Sequence, residues 1–468
     1  MFEQPSRTWQ VALALVIAAL VTLAAVAIPA NGSLDATFAH HGRQMTDFHR
    51  LADAGEDVAV LPDKRFVVVG SASTAFDGDP DYGEEFAIAR YRPNGRLDRS
   101  FSGDGKRTVN FNGGSRDESA TAVRVQPNGK IVVAGTSFQG DRTRGGTGVD
   151  FAVVRLLPDG RLDPRFGDHG KRLFDFDNNG YSDAARGLAL QPDGRIVIAG
   201  YSDFSTTERD LDVAVARLRR DGSFDRSFGG DGRKTSNFGW GSEEAPEDVA
   251  VTKSGRIVVA GSVTNFPGGD GTDFLVVRYR PNGRLDHSFS GDGAKATTFG
   301  HPVVNGDDVG GGVALEPHGK IVVGGLTSKS VTDLSDFAVV RYRPDGRLDR
   351  SFAGNGKQHT GFGSKRSDQT FGVDYGRDVT IDRKGRILVT GEADVMSPDA
   401  DFGVVRYWPD GRLDRSFSGN GKVRIDFRHE DVGKAIALQG PDRILTVGIA
   451  DYGAARSQDF AIARYHSG

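Results

Sequence analysis

Asp175, Asp177, Asn179, Tyr181 and Asp183 form the one stretch of this chain whose residue types are spaced like a ligand set. In Asp175-Phe176-Asp177-Asn178-Asn179-Gly180-Tyr181-Ser182-Asp183, oxygen side chains stand at positions one, three, five and nine, with Gly at six. A tight loop wraps a hard cation such as calcium with this spacing, and Tyr181 would contribute its backbone oxygen. Arg186 stands where a helical calcium hand has its final bidentate Glu, and Phe176 and Asp183 recur in other copies of a repeat. An ordinary Asn-Gly turn is therefore the competing reading. Calcium is the only cofactor suggested.

Other chemistry is hard to assemble. With no cysteine, the chain has no disulfides, thiolate nucleophiles or cysteine-ligated zinc. The histidines, among them His41, His169, His301, His359 and His429, fall at unrelated positions, and none lies in a spacing such as His-Glu-x-x-His. Gly268-Gly269-Asp270-Gly271 lacks the Lys-Ser/Thr and helix that a phosphate cradle needs. No catalytic residue is assigned. A formal net charge of −4 gives no bulk attraction for nucleic acid. Seven arginines, Arg90, Arg155, Arg217, Arg278, Arg341, Arg406 and Arg464, recur at one repeat position. The acid five residues before each is about 17 Å away along a strand, whereas the Asp of the following turn, eight residues on, is within reach. The expectation is a structural clamp, not a ring of anion ligands.

What positions these residues is a repeat. Gly-x-Leu-Asp-x-x-Phe places its Asp at 35, 98, 163, 225, 286, 349 and 414, with Phe224 replacing Leu in one copy. A fixed period near 60 residues means units that bury their apolar faces only against their neighbours. Each unit has four runs of strand character: Ala122–Val125 (A), Lys130–Gly135 (B), Asp150–Arg155 (C) and Lys171–Phe176 (D) in one copy. Gln126-Pro127-Asn128-Gly129 and Pro158-Asp159-Gly160 reverse the chain tightly between them. Strands B and C are apolar on both faces, so sheets must pack on both sides. The fold class is all-β: a seven-bladed β-propeller of four-stranded antiparallel blades. A lone D strand opens the array and a C strand, 459 to 465, ends it. Residues 42 to 48 should therefore pair beside that strand and close the ring, leaving no free edge. A monomer is expected.

The repeat word, Asp-Phe-Ala-Val-Val-Arg-Tyr-x-Pro-Asp-Gly-Arg-Leu-Asp-x-Ser-Phe with Pro-x-Gly-Lys-Ile-Val-Val-Ala-Gly, resembles the bacterial delta-60 repeat propellers over residues 31 to 468. That resemblance implies a propeller of unassigned activity. Lys64 and Asp442 depart from it where other A-to-B turns have Gly.

Residues 1–30 differ in kind. Val11 to Ala27 is apolar apart from Thr22, and Ala25-Val26-Ala27 offers a small-x-small cleavage site. The segment reads as a cleaved export signal, with a retained membrane anchor as the alternative, so residues 31–468 are expected outside the cytoplasm or at the cell surface. The A-to-B and C-to-D turns form one, Arg-rich face of the ring. The variable loops Ser71 to Glu84, Thr136 to Val149, Ser202 to Leu211, Phe299 to Gly310 and Gly363 to Gly376 lie on the other. Specificity usually resides in such loops. The expected function is a non-catalytic scaffold binding an extracellular protein, glycan or cation through them. A lyase or hydrolase acting at the central channel is the alternative; the inner strands, such as Asp57–Val60, Asp248–Val251 and Lys434–Ala437, read as plain repeat and do not favour it.

Overall fold

Runs such as Ile131–Phe138 can be apolar on both faces only if a sheet lies on each side. In the computed structural model, which describes residues 30–75, 83–111, 117–140, 148–176, 182–203, 211–239, 243–264, 271–300, 306–328, 335–363, 373–394, 400–427, 429–451 and 458–468, the chain forms seven four-stranded antiparallel sheets. Six are built from consecutive strands. The seventh pairs Arg43–Thr46 with Gln458–His466, followed inward by Arg443–Asp451 and Asp431–Leu438. Its register runs from Arg43 opposite Ala463 to Thr46 opposite Phe460, so the N-terminal strand closes the ring as the unmatched ends require. Seven apolar clusters fill the spaces between successive blades; Phe48, Phe66 and Val68 meet Leu445, Phe460 and Ile462 across the closure.

The seven recurring arginines hold this ring. Each reaches the Asp of the Leu-Asp turn: Arg90 to Asp98 (2.9 Å), Arg155 to Asp163 (2.7 Å), Arg217 to Asp225 (2.8 Å), Arg278 to Asp286 (2.9 Å), Arg341 to Asp349 (2.8 Å), Arg406 to Asp414 (2.8 Å) and, through the closure, Arg464 to Asp35 (2.9 Å). Each guanidinium also donates to a backbone oxygen of the next blade, as Arg278 does to Pro344 (2.5 Å) and Arg464 to Pro93. Each lies over the Phe of the same word, at 4.4 to 5.0 Å, as Arg406 over Phe417 and Arg217 over Phe228. The clamp is thus both intrablade and interblade, and it is structural.

The innermost strands are Asp53–Val60, Glu118–Val125, Asp183–Leu190, Glu244–Val251, Asp308–Leu315, Tyr375–Ile381 and Asp431–Leu438, most of them longer at the start than the sequence pattern suggested. The extra length accommodates a β-bulge in every one, at Glu56, Thr121, Arg186, Glu247, Gly311-Gly312, Arg377 and Lys434. A bulge inserts a residue and re-aims its side chain. It also explains the glycine ending Val-Val-Ala-Gly. Gly70 lies against the bulged segment so closely that a Cβ there would stand 1.7 Å from the Ala54 carbonyl oxygen. Where Gly is missing from the first A-to-B turn, Lys64 itself takes the left-handed conformation, φ +69°; in the last, Gly440 takes it, φ +82°, one residue after Gln439.

Candidate functional site: the charged end of the central channel

The bulged residues of all seven blades face the axis and line a cavity of about 370 Å³ near the loop-bearing end of the channel. Going round the ring they are Glu56, Thr121, Arg186, Glu247, Gly311, Arg377 and Lys434. Elsewhere the blades repeat one another. Here no symmetry survives. The residue after each bulge forms a second layer with Asp57, Asp248 and Asp378 in three blades and Gly or Ala in the rest. These three carboxylates join neighbouring blades. Asp57 accepts from Val58 N–H (2.7 Å) and, in the next blade, Val123 N–H (2.8 Å). Asp248 does the same with Val249 (2.7 Å) and Val313 (3.0 Å), and Asp378 with Val379 (2.7 Å) and Ile436 (2.9 Å). A Cβ at Gly312 would stand 2.2 Å from Asp378 Oδ1, so Gly makes room for that carboxylate.

Arg124, at a position that is Ala in most blades, reaches between the acids, 2.8 Å from Asp57 and 3.7 Å from Asp248. Burial works against its charge, but Asp57, Asp248 and Asp378 outweigh burial and hold it more basic than usual. Burial raises Asp248 above the ordinary carboxylate range despite Arg124. Asp378 is pushed up to about 8, by burial first and then by the charge of Asp248. In the upper layer burial likewise raises Glu247 against the pull of Arg186. Lys434 Nζ stands 3.5 Å from Glu56. Arg377 is held 2.7 Å from Glu392 and lies 5.6 Å over the Tyr375 ring, and Arg186 lies 5.6 Å over Tyr201. The cradle therefore presents three cationic heads and two carboxylates on pre-set supports.

The reading of the inner strands as plain repeat is corrected here. Charged groups converge at their bulges, and the signal was the position at which the seven copies disagree. Of the proposed calcium loop, Asp177, Asn179 and Tyr181 lie outside the described residues. Asp175 follows the D strand Lys171–Phe174, and Asp183 opens the next inner strand with its Oδ2 accepting Phe176 N–H at 2.7 Å. An equivalent bond is made at each junction between blades, from Phe48 to Asp53 through Phe427 to Asp431, so this pair belongs to the repeat. Most of the variable loops also lie outside the described residues. On the opposite face several arginines are neutralised locally, Arg343 by Asp345 (3.4 Å) and Arg412 by Asp410 (2.8 Å).

The fold and this channel define a class, the closed repeat propellers. Six copies, at residues 61–101, 126–166, 191–228, 252–289, 316–352 and 385–417, match the family described as domain of unknown function (DUF5122) beta-propeller, and the chain belongs to it. The seventh copy is divided between the two ends of the chain by the closure, which explains why no contiguous match covers it. No curated protein matches the chain. Among solved structures, it is similar to polysaccharide lyase Uly1 (10% identity, 88% of this chain and 90% of that one, TM-score 0.47). It is also similar to an inactive variant of virginiamycin B lyase from Staphylococcus aureus with quinupristin (7%, 90% and 98%, TM-score 0.44). A third is the alpha-L-arabinofuranosidase Arb93A from Fusarium graminearum (11%, 74% and 92%, TM-score 0.44).

Proposed function

We propose that this is a non-catalytic, exported binding propeller whose ligand, a glycan or protein segment bearing an acidic group, sits at the loop-side mouth of the channel. The observation that carries this reading is the loss of sevenfold symmetry at the bulges: a position used only for scaffolding would repeat. Arg186, Arg377 and Lys434 supply the anion contacts, and Glu56 and Glu247 accept from hydroxyl or amide groups. Binding is favoured over catalysis because Asp57, Asp248 and Asp378 each accept two backbone N–H groups, which leaves them poorly placed to pass a proton to a substrate. The test is an array of neutral and acidic glycans, with Arg186→Ala and Lys434→Ala beside the wild type. A tenfold loss for acidic ligands in both variants is expected. Ligands bound equally by all three proteins would refute the channel as the site.

The second reading, a lyase or hydrolase at the channel, is favoured by one feature, the raised Glu247 beside the Arg186 cation, an arrangement that suits a general acid. Release of reducing ends or unsaturated products from acidic polysaccharides, abolished by Glu247→Gln, would establish it. Among the described residues no helix is long and apolar enough to cross a membrane, and Val11 to Ala27 lies outside them. Asn31 sits on the turn face, its carbonyl accepting from Ser418 N–H and its side chain from Arg406 (3.1 Å). We take the preceding segment to leave from that face. If it is retained, the loop face points away from the membrane as a platform.

A further inference from the structure

Where blades meet on the loop side, three positions converge: a residue at the start of a C strand, the residue that follows a D strand, and the residue opening the next inner strand. Three junctions have aspartate at all three positions, and at two of them the carboxylates gather closely, Asp459 with Asp47 and Asp53, and Asp401 with Asp426 and Asp431. In each trio one oxygen per carboxylate lies within 4.8 Å of the other two. That is twice a calcium–oxygen distance of about 2.4 Å, so one ion can touch all three.

A second observation sets these junctions apart. The inner acid always spends one oxygen on the preceding Phe N–H. At three other junctions its second oxygen has a donor: Ser137 Oγ for Glu118 (2.9 Å), Thr327 Oγ1 for Asp308 (2.6 Å) and Asp394 N–H for Asp374 (2.9 Å). Across the strand from Asp53 and Asp431 stand Ala72 and Ala450, which have no hydroxyl. Asp53 is 1% exposed and Asp431 0%, and the Oδ1 of each is enclosed without a donor. A buried carboxylate oxygen in that state is costly unless a cation meets it. Of the nearby cations, Lys106 Nζ donates to the Asp47 carbonyl (2.9 Å), Arg43 lies 5.9 Å over the Phe427 ring, and Arg424 stands 3.4 Å from Asp394 and 4.0 Å from Asp401.

The geometry points to two divalent-cation sites of the calcium type, one at Asp47/Asp53/Asp459 across the ring closure and one at Asp401/Asp426/Asp431 between the sixth and seventh blades. The inference is independent of the channel reading and of the Asp175–Asp183 loop. Three carboxylates and water complete an oxygen shell of the hard-cation kind, and an ion at the first site would tie the N-terminal strand to both the last strand and the first blade.

The test is calorimetry and thermal melting of the full-length chain, stripped with EDTA and titrated with calcium, magnesium or manganese chloride. At least two equivalents of calcium and a rise of roughly 3 °C or more in melting midpoint are expected at millimolar calcium. Asp47→Asn and Asp426→Asn place at each junction the Asn found at residues 110 and 237, so both should fold. Each should remove one equivalent and the double variant two. Ala72→Ser with Ala450→Ser, which restores the donor hydroxyl, should weaken calcium binding at least tenfold while leaving the metal-free midpoint unchanged or higher. No binding of any of the three ions to the stripped wild type, or full stoichiometry in the double Asn variant, would overturn the inference.

Discussion

Replacing Asp286 by Asn tests the clamp that repeats around the ring. Asp286 Oδ2 accepts from Arg278 (2.9 Å) and Arg256 (2.8 Å), and its Oδ1 from the Ser288 hydroxyl (2.8 Å). Burial alone would raise this carboxyl, yet Ser288 and Arg278 hold it at about 2 against an ordinary 3.8. The gap is worth about 2.4 kcal/mol at neutral pH. Asn forfeits that and strands the buried Arg278 charge, a situation that costs about 3–5 kcal/mol. A loss of about 3 kcal/mol or more is therefore expected in urea unfolding at pH 7. Because the folded value is depressed, this stability is fully present above about pH 4 and is lost as pH falls through 2. At pH 3 the wild-type contribution has dropped to about 1.3 kcal/mol, so the variant's deficit should narrow by about 1 kcal/mol. A deficit below about 1 kcal/mol at pH 7, or one no smaller at pH 3, would refute the account. Arg278→Met in the same background should recover part of the loss, since it removes the stranded charge.

Gly70→Ala should destabilise by more than the usual 1 kcal/mol of a core substitution, because its Cβ would meet the Ala54 carbonyl; an unchanged melting midpoint would show that the bulge is not fixed by this glycine. Asp378, raised to about 8, favours the fold below about pH 4 and loses that contribution as pH rises toward 8. Asp378→Asn should accordingly flatten the fall in stability between pH 6 and 9, and an unaltered slope would count against the stated cause. Deleting residues 31–48 leaves Gln458–His466 as an open edge, so concentration-dependent association is expected by light scattering; a stable monomer would mean that closure is dispensable. If the N-terminal segment is retained, antibody access on intact cells should be easier at Ser71 to Glu84 than at Arg92 to Arg99, and equal access would refute the platform.

The fold was legible because its units are copies: the seven-times-repeated Leu-Asp word gave blade number, turn positions and the unpaired strand at each end. The Arg-to-Asp clamp was legible for the same reason, since Arg278 and Asp286 lie eight residues apart in every copy. The channel was not. Each blade contributes one bulged residue about 60 positions from the next, so Glu56, Arg186 and Lys434 form no local motif, and their information lies in differing from one another. The aspartate junctions hid similarly, being assembled from three strands of two blades. The acid opening each C strand was visible, and distance excluded it as the arginine's partner; its actual neighbours, such as Asp47 and Asp53 for Asp459, come from elsewhere in the ring.

Residues 31 and 468 lie side by side, near enough that a Cβ on Gly468 would meet the Asn31 side chain at 2.5 Å, and Arg406 grips both Asn31 and Ser467. Joining them by a short linker would make the ring covalently endless, and a new break could then be opened in any other C-to-D turn. Each such permutant would fasten a different blade with strands from opposite chain ends. Comparing the melting of the series would weigh the seven blades one against another, and would show how far the seam nature placed beside the Asp47/Asp53/Asp459 trio owes its strength to that trio.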